Sequence, residues 1–239
     1  MNMKESAYSD GSYRENNSDW HAGDSDWKAE RIAAILANNS IEYRSCVEVG
    51  CGAGRVLAHL AERMPGRRYT GYDISSDAAT LWQSVAQTSV SYHHGDFTAS
   101  SEVYDLLLLI DVFEHVEDYM SFLRKLAKRA RWFVFHIPLE MHISALLRDR
   151  QLYSRAQVGH LHYFSRATAL ATLEDTGYRI VQAEYTDLAR ETQERRRTLT
   201  RLANVVRAGV QAISTDLAAK LIGGYSLLVL CSSVNSPDT

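Results

Sequence analysis

The chain has 239 residues, 46% hydrophobic and 23% charged, with a formal net charge of −3. That length suits one domain with a sizeable core, and the faintly acidic balance gives no reason to expect nucleic acid or an anionic membrane as partner. Three scattered cysteines, Cys46, Cys51 and Cys231, make no disulfide framework and point to a reducing compartment.

Residues 1–26 are rich in Ser, Asn and Asp and read as a partly disordered segment, with Tyr13 and Trp20 as docking points. They hold no apolar stretch of signal-peptide type. No segment reaches the roughly 18 unbroken apolar residues of a membrane span, so the default expectation is a cytoplasmic protein with no membrane partner. "DSDWKAERIAAILANN" then places Trp27, Ile32, Ile35 and Leu36 on one helical face. Asp24 or Ser25 is positioned to cap that helix and Asn38-Asn39 to stop it.

"CVEVG" is a short strand, followed by a helix from about Gly54 to Arg63 that Pro65-Gly66 ends. "RYTGYDIS" is a second strand closing at Asp73, and Ser76 to Ala86 reads as helix. "SVSYHHGDF" is a third strand closing at Gly95-Asp96. "YDLLLLIDVFEHV" opens with an almost wholly apolar strand, as expected where both faces of a parallel sheet are covered. "EDYMSFLRKLAKRAR" is an amphipathic helix with Met120, Leu123 and Leu126 inward, and "WFVFHIP" is a fifth strand. Strand and helix alternate throughout, which implies βαβ units and a doubly wound α/β sheet.

Beyond Pro138 the pattern changes. Leu139 to Val158 is mixed, Ser165 caps a helix that Gly177 ends, and Tyr178 to Tyr185 is a sixth strand. The stretch 186–223 reads as a helical insertion. It opens with the basic "RETQERRRTLTR", which suits an acidic substrate or partner or, with Glu191 and Glu194 interleaved, a solvated helical face, the reading preferred here. Leu202, Val206, Val210, Ile213 and Leu217 then recur at helical spacing, and this stripe has to be buried over the active site, on the sheet edge or in a dimer. Gly209 interrupts it. "GGYSLLVLCSS" is a final strand. The organisation is one domain over 27–235, preceded by the partly disordered segment 1–26 and followed by a tail at 236–239.

Ligands of such sheets bind outside the carboxyl ends of the strands, and Gly50, Asp73, Asp96 and Asp111 fall at four of those ends. Gly50, Gly52 and Gly54 let a strand turn sharply into a helix with a ligand close to the backbone, or simply make a tight turn. Arg55 stands where the nicotinamide fingerprint G-x-G-x-x-G wants its last glycine. Asp73, about 20 residues on, suits the hydroxyls of an adenosine ribose or a helix cap. Asp96 and Phe97 suit the edge and face of adenine, or an ordinary turn.

The order "VEVGCGAGR", "GYDIS", "HHGDF", "YDLLLLIDVFEHV", "GYRIVQAEY" and "GGYSLLVLCS" resembles a class I S-adenosylmethionine-dependent methyltransferase over about residues 28–235, the 186–223 region fitting least. "DVFEHV" and "HLHYFS" resemble the small-molecule subgroup that includes ubiquinone-type O-methyltransferases. The resemblance implies a Rossmann-like sheet of seven strands with the last inserted antiparallel. It implies that Glu48 and the loop Gly50, Cys51, Gly52 and Gly54 hold the amino-acid end of S-adenosyl-L-methionine, whose product is S-adenosyl-L-homocysteine. Asp73 would take the ribose, Ile74, Asp96 and Phe97 the adenine, and Asp111 and Val112 the methionine portion, with Trp20 and His21 in a lid.

The sulfonium carries the reactivity. The protein must align an acceptor, exclude water and, for a hydroxyl or protonated amine, remove a proton. Histidine is the usual base near neutral pH. His115, His160 and His162 are the candidates, with His136 and, less so, His142 behind them. An H-x-H pair also suggests a metal, but no carboxylate cluster in the sequence completes a site, so no metal is expected. The expected function is methyl transfer to oxygen or nitrogen of a small molecule in specialised metabolism, by a monomer or homodimer. An NAD(P)-dependent oxidoreductase and a non-catalytic methyltransferase-like domain are the alternatives. A nucleic-acid methyltransferase would show a proline-containing motif where this chain has Asp111-Val112-Phe113-Glu114.

Overall fold

The computed structural model describes residues 22–85, 89–187 and 208–234. Tyr13, Trp20, His21, the basic stretch Arg190 to Arg201 and the first part of the apolar stripe lie outside them.

Seven strands form one sheet: β1 (Ser45–Val49), β2 (Arg68–Asp73), β3 (Val90–His94), β4 (Tyr104–Ile110), β5 (Ala130–Pro138), β6 (Tyr178–Thr186) and β7 (Ser226–Ser233). Their order is β3-β2-β1-β4-β5-β7-β6. The first five pair in parallel, and β7 runs antiparallel to both β5 and β6. The seven-stranded sheet with an antiparallel last strand is therefore as expected. Strand order reverses between β1 and β4, so the crevice of the sheet opens beside Gly50 and Asp111.

β4 is apolar because it is covered twice. Leu107 and Leu109 join Phe113, Leu123, Leu126, Phe133 and Tyr178 on one face, under α4 (Tyr119–Leu126) and α7 (Arg166–Asp175). Leu106 and Leu108 join Ile32, Ile35, Leu57 and Leu60 on the other, under α1 (Ser25–Asn38) and α2 (Arg55–Arg63). The period-two alternation of a strand thus feeds two separate cores. Ser165 caps α7 with a reciprocal capping box through Thr168, a device that contributes about 1 kcal/mol.

Four expectations are corrected. Asp24 is the N-cap of α1 but makes no side-chain capping bond; it pairs with Lys28 at 2.9 Å instead. The helix expected from Ser76 to Ala86 is only α3 (Ser76–Ala79), followed by a 3-10 turn at Trp82–Ser84. The Trp82 indole donates back to Gly52 O and stacks on Tyr92, which holds the chain to the sheet. Met120 is only half-buried, while Leu123 and Leu126 carry the burial of α4. Near the C-terminus a helix at 208–213 is broken by Ser214, which caps α8 (Thr215–Leu221) through Leu217 N. Ile213 and Leu217 are exposed, and Ala218 and Ala219 fill the inward face. The mixed segment after β5 holds two short helices, α5 (Ile143–Leu146) and α6 (Arg150–Gln157).

Candidate active site

Gly50, Gly52 and Gly54 all have positive φ, at 75°, 49° and 77°. This is backbone that a side chain resists. Two of the three are closed by neighbours as well. A Cβ on Gly50 would lie 2.6 Å from Val112 Cγ2, and one on Gly54 would strike the Tyr92 ring. The loop is pinned from several sides. Gly50 and Cys51 donate to Tyr72 O at 2.8 and 3.0 Å, and Gly52 N donates to Asp73 Oδ2 at 2.8 Å. Trp82 and Tyr92 donate to the carbonyls of Gly52 and Gly54. Those two rings, stacked on each other, carry no motif signal and were not anticipated.

Asp73 is the hinge of this arrangement. One carboxylate oxygen accepts from Gly52, and the other accepts from Ser75 N at 2.8 Å. Burial raises its pKa, with the two amide bonds working against the rise. Ile74, the next residue, is 55% exposed at the end of β2, an apolar surface beside an acid. Cys51 is buried under the loop, where burial pushes its thiol pKa up.

Glu48 is buried inside β1, and its Oε2 has no hydrogen-bond partner. Burial raises its pKa to about 8; Lys28 opposes the rise and Asp73 and Asp111 add to it. The carboxyl thus lies within electrostatic reach of all three groups.

Asp96 is spent locally, on the amide and hydroxyl of Thr98. Phe97 is corrected outright. Its ring is 1% exposed and packs against Tyr72, Tyr104 and the Arg129 guanidinium, so its face is closed to a base.

Asp111 follows β4 with φ of 54°. Its Oδ2 pairs with Lys28 Nζ at 2.9 Å and its Oδ1 with His136 Nδ1 at 2.7 Å. The far nitrogen of His136 meets Thr186 Oγ1 at 3.1 Å. Burial alone would raise the Asp111 pKa, but His136 and Lys28 outweigh it and hold the carboxyl well below the usual range. Burial likewise opposes charge on Lys28, and Asp111 and Asp24 together hold its pKa above the ordinary value. His136, a reserve candidate for base, therefore has both ring nitrogens engaged. Lys28 and Thr186 were not anticipated, since nothing in their local sequence marks them. His142 caps α5 by accepting from Ala145 N, with its ring against Gly223.

The three principal histidines divide. His115 and His160 come together, ring centroids 4.7 Å apart. Burial pushes His115 down to about 3, and His160 beside it adds to the shift. His160 Nδ1 lies 2.6 Å from Glu140 Oε2, and Ser154 donates to the other oxygen at 2.6 Å. His162 turns elsewhere, to Glu117 O at 3.2 Å and the Tyr119 ring. Between Asp111 and His115 lies Glu114, fully buried, with neither carboxylate oxygen hydrogen-bonded. Burial, aided by Asp111, raises its pKa. Glu114 and Glu140 were also missed, although Glu114 stands inside a motif singled out for its neighbours.

Compared with known proteins, residues 20–183 match a family model described as a methyltransferase domain. The chain belongs to this methyltransferase family. It is 32% identical over 108 residues to the ubiquinone biosynthesis O-methyltransferase of Hydrogenovibrio crunogenus, covering 42% of this chain and 44% of that protein. It is 28% identical over 111 residues to norajmaline N-methyltransferase of Rauvolfia serpentina, covering 43% of this chain and 38% of that protein. The matched part is thus less than half of either relative. The methyltransferase domain also superposes on the magnesium protoporphyrin IX methyltransferase of Synechocystis PCC 6803, solved with bound SAH. That likeness has a TM-score of 0.59 at 17% identity and covers 87% of this chain and 83% of the other. At that identity the likeness speaks for the fold. Among the described residues no helix is long and apolar enough to cross a membrane.

Proposed function

We propose that this chain is an S-adenosylmethionine-dependent methyltransferase acting on oxygen or nitrogen of a small molecule. The observation that carries the reading is the loop of three left-handed glycines tied through Gly52 to Asp73 at the mouth of the crevice. The residues fit such a cofactor. Asp73 presents an acceptor to a ribose diol beside the exposed apolar Ile74. Glu48 keeps a buried, unpartnered carboxylate oxygen, which suits the ammonium of the amino-acid end. Val112 walls the loop from the β4 side. Asp96 and the backbone at Phe97 bound the adenine end.

When bound, the cofactor supplies an activated methyl group. The chain's own task is to orient the acceptor, keep water out and handle the proton it loses. His115, His160 and Glu140 form a connected group past the end of β4 where that proton can be handled. His162, engaged by Glu117, has no part in this scheme. The related O- and N-methyltransferases support the small-molecule class, and a role in specialised metabolism is the finer form of the proposal.

Calorimetric titration with S-adenosylmethionine, S-adenosylhomocysteine and NADH tests it. Micromolar binding of both sulfur compounds, with no heat from NADH, is expected. Binding of NADH alone would install the oxidoreductase reading, and no binding at all the non-catalytic one.

A further inference from the structure

Glu114, His115 and His160 each bring one ligand atom into a group in which all lie within 4.8 Å of one another. Two imidazoles and one carboxylate are the donor set of many zinc and iron sites. Glu114 is 0% exposed and both its oxygens lack a hydrogen-bond partner. A buried carboxylate left this way is costly. Lys28, the cation nearest in the network, is already shared between Asp24 and Asp111. A divalent cation would satisfy both oxygens together.

The surroundings have the form of a metal site's outer layer. Glu140 holds His160 through Nδ1 at 2.6 Å and is itself held by Ser154. A carboxylate behind a histidine is the usual means of orienting a ligand ring. Backbone bonds brace the same place, since Leu161 N and His162 N both donate to Glu114 O, at 2.8 and 3.1 Å. The ligand-bearing segments are therefore tied together independently of any ion. Ligand atoms around tetrahedral zinc lie about 3.3 Å apart, so closure asks for side-chain adjustment only.

We infer that Glu114, His115 and His160 bind a divalent transition-metal ion of the zinc class, with Glu140 as the positioning residue for His160. Three protein ligands leave a coordination position open, as in catalytic rather than structural sites. This deepens the proposed methyl transfer: an acceptor hydroxyl on that position would lose its proton more readily. Only that last step rests on the methyltransferase reading, because metal binding is measured without cofactor.

The test is titration of chelator-treated full-length protein with Co²⁺, read by visible absorption, and with Zn²⁺, read by calorimetry. One equivalent with intense tetrahedral cobalt bands is expected. Glu114→Gln and His160→Ala should each abolish the stoichiometric site. Glu140→Gln should weaken it about 10- to 100-fold while leaving the cobalt spectrum at saturation. S-adenosylhomocysteine affinity of each variant, measured in parallel, reports folding and the cofactor reading separately. Absence of a stoichiometric site in the parent protein, or its survival in both Glu114→Gln and His160→Ala, would overturn the inference.

Discussion

Asp111 and Glu114 lie three residues apart, on the same turn after β4, and have opposite surroundings. Asp111 is bound on one side by Lys28 and on the other by His136, which Thr186 holds in turn. Glu114 is deeper and has nothing on either oxygen. Glu48, across the crevice on β1, is of the second kind, with one oxygen unpartnered. A fully paired charge network fastens elements together: here it ties α1, β4, β5 and the end of β6. A buried carboxylate without a partner does not stabilise the fold by itself, and the proposals above give Glu48 and Glu114 something to bind. On the proposed reading the paired acid is architecture and the unpaired acids are sites.

The sharpest way to break that division is to remove each acid in the presence of a chelator. Asp111→Ala leaves Lys28 and His136 without their shared partner. Breaking a buried pair costs roughly 3–5 kcal/mol, and Asp111, whose side chain is 29% exposed, belongs at the low end, about 3 kcal/mol by urea unfolding. Glu114→Gln should leave stability unchanged or raise it, because it removes a buried carboxylate that has no partner. Equal losses would erase the distinction.

Glu48 sharpens the same point through pH. Its folded pKa of about 8 stands above the ordinary 4.5. The folded state therefore keeps a proton that the unfolded chain releases, and stability falls as pH rises from about 4.5 through 8. Asp111 has the opposite sign: its folded pKa is depressed, so its contribution is present above the unfolded value and is lost only in acid. Glu48→Gln should remove a decline on the order of 3 to 4 kcal/mol between pH 5 and 8. A variant whose stability tracks the parent across that window would show that Glu48 is already ionised in the fold. Asp73→Ala tests the cofactor side. Loss of a charged acceptor for hydroxyls, at roughly 1.5–3 kcal/mol, predicts about 30-fold weaker binding of S-adenosylhomocysteine by calorimetry. Unchanged affinity would mean that Asp73 serves the loop and Ser75 alone.

The division also explains how far the sequence could be read. Gly50, Gly52 and Gly54 signal locally, because a positive φ is a demand each residue meets on its own, and the apolar run Leu106 to Leu109 announces a strand buried on both faces. Seven strands and an antiparallel last one were legible from such signals and from the family resemblance. Lys28 and Asp111 are far apart in the chain, as are Glu114 and His160, and neither pair leaves any spacing to detect. Phe97 was misplaced for the same reason. A phenylalanine after a strand can cover a ligand or the core, and only Tyr72, Tyr104 and Arg129 around it decide which. The expectation of no metal rested on the want of a carboxylate near the histidines; in the proposed site Glu114 is that carboxylate, and only the fold brings it beside His160.

His115 gives the smallest of the expected effects and the most specific. It stands between the two kinds of acid, next to Glu114 in sequence and against His160 in space. Burial holds its pKa near 3, so at neutral pH it is an uncharged imidazole, suited to accept a hydrogen bond or a metal and poorly suited to serve as a strong base. Substitution by Ala should therefore leave S-adenosylhomocysteine affinity within about twofold and lower turnover about tenfold, roughly 1.4 kcal/mol in the barrier. Turnover of the parent should show no inflection near pH 6.5 attributable to this residue. If His115→Ala instead weakened cofactor binding and turnover equally, the residue would be part of the glycine-loop side of the crevice. The boundary between cofactor and acceptor would then have to be moved past the end of β4.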